Sequence, residues 1–151
     1  MITIRTGRPG DAEAAREIVN EAYRSYIPRI GQAPAPMRDD YAKRIAEGQV
    51  WILDRDGTAV GILVLEETPE RFLLDNIAVA PAHHGEGLGR ALLTFAEQEA
   101  VRRGWHEIQL YTNALMTENI ALYERIGYVE TARVSEKGFD RVYMVKLLAG
   151  P

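Results

Sequence analysis

Cysteine is absent from the 151 residues, which rules out disulfides, a thiol nucleophile and cysteine-based zinc sites. Histidine is nearly as scarce, with three in all. His83 and His84 are adjacent and lack a convergent third ligand, so no metal site is expected. No apolar run approaches the roughly 20 residues that cross a bilayer. Positive charge is not in surplus either. Eighteen basic against 22 acidic residues leave a net −4, which argues against a general binder of nucleic acid or anionic membrane. The opening MITIRTGRPGD alternates like a strand instead of carrying the apolar centre of a signal peptide, and a cytoplasmic location is the expectation. Internal repeats and low-complexity tracts are missing. Hydrophobic residues make up 46% of the chain, which suits one domain over residues 1–151 with a single core.

What is present centres on LLDNIAVAPAHHGEGLGRALL, residues 73–93. The apolar run Leu73 to Ala80 reads as a mostly buried strand, and Pro81, unable to donate to a ladder, ends it. Gly85, Gly87 and Gly89 follow at alternate positions and lead directly into an amphipathic helix pattern. Strand, glycine loop and helix together aim unpaired backbone N–H groups at an anion, with roughly half a positive charge added by the helix dipole. At about 1.5–3 kcal/mol for each charge-assisted hydrogen bond, several amides hold a pyrophosphate without a lysine. The spacing G-x-G-x-G differs from the dinucleotide fingerprint, and Glu107 stands near the start of the next strand instead of closing it. No Gly-Lys-Ser/Thr is present, so a mononucleotide loop is disfavoured as well.

The rest of the chain follows from periodicity. Ile2 to Arg5 is a strand, and Asp11 starts an amphipathic helix ending near Tyr26, since Pro28 biases the residue before it away from helix. PRIGQAPAPM, residues 28–37, is a constrained loop, and residues 37–47 form a short helix. Strands over 49–54 and 58–66 flank an Asp56-Gly57 hairpin turn, and a third runs over 71–80. The helix after the glycine loop presents Leu88, Leu92, Phe95 and Glu99 on one row, with Arg102 and Arg103 on a solvated face and Gly104 just past its end. A strand over 105–111, a helix over 118–126 capped by Thr117, and a hairpin of 128–135 with 139–147 complete the order βααβββαβαββ. This is an α/β fold, a mixed sheet with helices on both faces.

Two segments resemble the GNAT superfamily of acyl-CoA-dependent N-acetyltransferases. In the pyrophosphate signature Gln/Arg-x-x-Gly-x-Gly/Ala, the positions fall on His84, Gly87 and Gly89, and Arg90-Ala91-Leu92-Leu93 continues as in that family. His84 stands where Gln or Arg is usual. The second segment, Leu122-Tyr123-Glu124-Arg125-Ile126-Gly127-Tyr128, matches the family's Leu-Tyr-Glu-x-x-Gly-Phe/Tyr run. By itself a tyrosine spaced with Ile120 and Ile126 reads as core. The element order also matches the GNAT fold, whose sheet is mostly antiparallel.

The resemblance implies acetyl-CoA as cosubstrate, no metal, and a primary amine, on a small molecule or a peptide, as acceptor. It implies backbone contacts from Ile77, Ala78 and Val79 to the pantetheine arm, with the amide near Val79 stabilising the oxyanion. The cradle is then His84, Gly85, Glu86, Gly87, Leu88, Gly89 and Arg90. Tyr123 becomes the general acid, and Asn119, one helical turn before it, a contact for the CoA arm, with Asn113 as an alternative. Glu66, Glu67, Asp75, His84, His106 or a water relay are the choices for general base. Tyr23, Tyr26 and Arg29 border the region where the family binds acceptors, although both tyrosines also suit the core. A homodimer is compatible with the family, but no interface is specified. The alternative is a non-catalytic acyl-CoA-binding regulatory module.

Overall fold

A computed structural model describes residues 1–149. Seven strands form one sheet: β1 (Ile2–Thr6), β2 (Val50–Arg55), β3 (Thr58–Glu67), β4 (Phe72–Val79), β5 (Glu107–Asn113), β6 (Val129–Glu136) and β7 (Phe139–Leu147). Their spatial order is β1-β2-β3-β4-β5-β7-β6, and only β4 and β5 run parallel. The helices α1 (Ala12–Tyr23), α2 (Ile27–Ile30), α3 (Tyr41–Ala46), α4 (Leu88–Arg102) and α5 (Thr117–Arg125) connect them.

The period-two alternation of β3 sorts its side chains to opposite faces. Ile62 and Val64 join Ala15, Ile18 and Val19 of α1 and Tyr41 and Ile45 of α3. Leu63 and Leu65 join Leu88, Leu92, Leu93 and Ala96 of α4 and Tyr123 of α5. A sheet buried on both faces explains why β3 reads as a continuous apolar run.

Two irregularities shape the site. Val64 pairs with Asn76 and Leu65 with Leu74, so Asp75 is the extra residue of a bulge in β4. Bulges add twist and re-aim side chains. The parallel ladder of β4 and β5 then consists of Leu73↔Gln109 and Leu74↔Leu110 alone. Beyond it β4 stays with β3 as far as Val79, while β5 stays with β7 as far as Asn113. The sheet opens between the two.

Element positions differ from the sequence reading in four places. α1 stops at Tyr23, before the expected end near Tyr26, and a 3-10 turn, Arg24–Tyr26, then leads into a further helix, α2, where Pro28 sits in the first turn and its missing N–H costs nothing. The single helix expected over 37–47 is a 3-10 turn, Ala35–Arg38, followed by α3, which Asp40 caps by accepting from the Lys43 amide at 3.1 Å. Thr117 is the first helical residue of α5, and its hydroxyl donates to Glu118 Oε1 at 3.0 Å instead of capping. Arg102 and Arg103 are not merely solvated. Both donate to the buried Glu99, at 2.7 and 2.9 Å, and hold its carboxyl below the usual range. That lets an acid occupy the core-facing row of α4.

The start of the chain is fixed by charge. Arg5 donates to Asp11 at 2.8 and 3.0 Å and to Asp54 at 2.7 Å, which ties β1 to β2 and to the start of α1. The Arg5 hydrogen bond, opposed by burial and helped by the Arg8 amide, holds the Asp11 carboxyl down at about 2. A depressed carboxylate stabilises the fold above its unfolded pKa of about 3.9 and loses that contribution as pH falls through the folded value. Asp11→Ala is therefore expected to cost about 2 kcal/mol in urea unfolding at pH 7. The difference from the parent protein should narrow below pH 4 and close toward pH 2.

Candidate active site

The glycine loop is built by backbone geometry that few residues accept. Pro81–His83 form a 3-10 turn, and Gly85 and Gly87 then take φ of 82° and 79°, a region costing other residues about 1–2 kcal/mol. α4 starts immediately, and its first returning bond runs from the Ala91 amide to Gly87 O at 3.1 Å. The amides of Leu88, Gly89 and Arg90 are left without helical acceptors. A Cβ placed on Gly85, Gly87 or Gly89 meets nothing within 4 Å, so the space over the loop is open to a ligand.

The opening between β4 and β5 exposes a second row of backbone groups. The Ala80 amide bonds Val60 O on the β3 side at 2.8 Å. By alternation, Ile77 and Val79 turn their groups the other way, into the opening. Their carbonyls are covered by side chains. The Tyr23 hydroxyl reaches Ile77 O at 3.1 Å and Asn76 Oδ1 at 2.7 Å, and His84 Nε2 lies 2.7 Å from Val79 O. A carbonyl only accepts, so this His84 nitrogen carries the proton. The amides stay free.

Amides from loop and strand border one cleft of about 310 Å³. Ile77, Ala78, Val79, His84, Gly85, Gly87, Leu88, Gly89, Arg90, Asn119 and Tyr123 all line it. Glu86 does not: its carboxylate pairs with Arg55 and lies 3.2 Å from His83 Nδ1. His83, Leu93 and Leu122 also line the cleft, although no binding role is expected for them from the sequence. A smaller cavity of about 40 Å³ lies beside it, walled by residues including Tyr23, Pro34, Pro36, Asp75, Tyr111, Phe139 and Arg141. Ile77, Asn119 and Tyr123 border both.

Tyr123 combines a core position with access to both spaces. It is 7% exposed, its ring stands edge-on to Tyr128 at 5.8 Å, and burial pushes its hydroxyl up to about 12. Among the described residues that hydroxyl has no hydrogen-bond partner. Asn119 Nδ2 lies 3.6 Å from Met116 Sδ, whereas Asn113 Oδ1 is occupied by the Leu115 amide at 2.9 Å.

The candidate bases separate by position. Glu67 bonds Arg103 and Trp105, and His106, just before β5, bonds Leu148 through its backbone; both lie at the far end of the sheet from Tyr123. Glu66 is held by Arg44 at 3.1 Å and does not line the smaller cavity. Asp75 does. It accepts from Tyr111 Oη at 2.9 Å and from Arg44 Nη2 at 3.0 Å, and burial raises its pKa against both partners. Tyr23 lines the same cavity, whereas Arg29 pairs with Glu118 at 2.7 Å and stacks on Tyr26.

The family model described as Acetyltransferase (GNAT) family matches residues 13–128. The chain belongs to this family. Mycothiol acetyltransferase of Streptomyces coelicolor is 30% identical over 138 residues, 85% of this chain and 43% of that protein. N-acetyltransferase family 8 member 2 of Rattus norvegicus is 29% identical over 72% of this chain and 50% of its own length. The chain spans about half the length of the curated relatives it matches. Among solved structures, a ribosomal-protein alanine N-acetyltransferase from Escherichia coli superposes with a TM-score of 0.76 at 25% identity, covering 100% of this chain and 96% of that one. The PaiA N-acetyltransferase of Thermoplasma acidophilum, solved with coenzyme A, gives 0.80 at 19% identity over 97% and 99%, a likeness of fold.

Gly89 tests the cradle without backbone strain, because it is helical and its Cβ direction is open. Gly89→Glu should leave the melting temperature unchanged within a few degrees, while its carboxylate sits where the phosphates would lie. Calorimetric affinity for CoA is expected to fall by at least about tenfold, the equivalent of one lost charge-assisted hydrogen bond.

Proposed function

We propose that this domain transfers the acetyl group of acetyl-CoA to a primary amine by direct attack. The observation that carries this reading is the meeting of the amide-lined cleft and the cavity bordered by Asp75 at Tyr123. Acetyl-CoA fits the cleft, with its pyrophosphate on the amides of Leu88, Gly89 and Arg90 and its pantetheine arm along Ile77 to Val79, beside Asn119. The acceptor then enters from the Asp75 side, and the thioester lies between. Relatives named for mycothiol and for a ribosomal-protein alanine support acetyl transfer as the class.

Asp75, the one carboxylate lining the acceptor cavity, takes a proton from the ammonium as the free amine attacks the thioester carbonyl. Burial makes it a stronger base than a surface aspartate. The Val79 amide donates to the developing oxyanion. As the tetrahedral intermediate collapses, the attacking nitrogen sheds its remaining extra proton, the C–S bond breaks, and the Tyr123 hydroxyl gives its proton to the CoA thiolate. The proton shed by nitrogen restores the phenol, so the net proton released is the one taken by Asp75. A phenol near 12 against a thiol of about 8.5 makes that transfer uphill by about 5 kcal/mol. The same dry cleft penalises the free thiolate, which narrows the gap.

Tyr123→Phe should retain acetyl-CoA affinity within about threefold and lose about 10²–10⁴-fold in kcat, the range of general acid catalysis. Thiol release under saturating acetyl-CoA checks this. Unchanged turnover would remove Tyr123 from the mechanism, and acetyl-CoA binding with no turnover on any amine would leave a non-catalytic binding module.

A further inference from the structure

The acceptor cavity has a second charged wall, which an amine alone does not require. Among its lining residues, only Asp75 and Arg141 carry charge, and their signs are opposite. Arg141 lies on β7 and is 7% exposed. Its guanidinium stacks 4.4 Å from the centre of the Tyr111 ring, while the hydroxyl of the same ring donates to Asp75 at 2.9 Å. One phenol thus sets an anion at its tip and a cation over its face. A guanidinium carries five N–H donors, yet among the described residues Arg141 makes one side-chain hydrogen bond, to Glu136 Oε2 at 2.6 Å. That oxygen also accepts from Tyr143 at 2.5 Å. At the other end, three carboxylates, Asp39, Glu66 and Asp75, share the single guanidinium of Arg44, so the surroundings of Asp75 remain negative.

The cavity is also small and roofed. At about 40 Å³ it is far smaller than the neighbouring cleft of about 310 Å³. The loop carrying Pro34 and Pro36 is tied to the β6–β7 hairpin through Gln32 Nε2, which donates to Gly138 O at 3.0 Å, and through Arg38, stacked 5.8 Å from the Phe139 ring. A polypeptide end would need this roof open and offers no nearby carboxylate for Arg141.

Resting on the acetyl-transfer reading above, we propose that the acceptor is a compact free amino acid, its ammonium directed to Asp75 and its carboxylate to Arg141. The planar fork of an arginine suits a carboxylate, which takes two parallel N–H donors.

The test measures thiol release from acetyl-CoA with paired acceptors at equal free-amine concentration: small amino acids, their carboxamides, and a peptide with a free N-terminus. The free acid is expected to exceed its carboxamide by about 10–100-fold in kcat/KM, mainly through KM, the equivalent of one charge-assisted hydrogen bond. Arg141→Gln should bring that ratio toward one. If the variant fails to fold, the ratio in the parent protein decides by itself. Carboxamides or the peptide acetylated as well as the free acids would overturn the amino-acid assignment and leave acetyl transfer standing. Thiol release with none of the amines would overturn both.

Discussion

The parting of β4 from β5 is the constraint on which the rest of this molecule depends. A parallel pair continued to the strand ends would consume the backbone groups of Ile77 and Val79 and leave no space between the two helical layers. Instead the ladder ends at Leu74↔Leu110, because each strand follows a longer antiparallel partner and the Asp75 bulge turns β4 away. Freed backbone groups in a protein interior cost about 1–3 kcal/mol each when unsatisfied. Here the two carbonyls are covered by Tyr23 and His84, and the two amides face the cleft. What remains is a row of donors, which favours a ligand rich in carbonyl and phosphate oxygens.

The bulge also couples the opening to the chemistry. By inserting one residue it places Asp75 against Tyr111 and Arg44, at the point where the sheet parts. Asn76 beside it is buried, accepting from Tyr23 and donating to Tyr41 at 3.0 Å, which in turn donates to Pro36 O at 2.6 Å. This chain of bonds runs from β4 to the loop that walls the smaller cavity. Displacing that loop would therefore disturb the strand carrying the proposed oxyanion donor.

The parts of the site legible in the sequence are those whose geometry is local. Gly85, Gly87 and the start of α4 form the cradle through positive φ and unpaired helical amides, properties of contiguous residues. Tyr123 and Asn119 are neighbours by helical period. The sequence of strands along the chain follows from periodicity, whereas α2 falls where the prolines suggest a loop and Thr117 lies inside its helix instead of capping it. The acceptor side was illegible for the opposite reason. Arg141, Phe139 and Tyr111 meet Asp75 only through β5–β7 pairing and a bulge, and neither leaves a mark in a window of residues. Asp75 appeared in the sequence as one acid among several, and its burial against Arg44 is what distinguishes it. Glu99 carried a hint: an acid on an apolar row four residues before Arg103 signals a buried pair.

His84 replaces the long polar side chain usual at its position, and its geometry explains how the loop accommodates it. The ring folds back to the strand it has just left, donating to Val79 O. A longer glutamine or arginine could reach out over the phosphates. The histidine instead fastens the glycine loop to the end of β4, so the unpaired amides at the start of α4 and the Val79 amide belong to one braced unit. At that part of the loop the side chain braces the backbone.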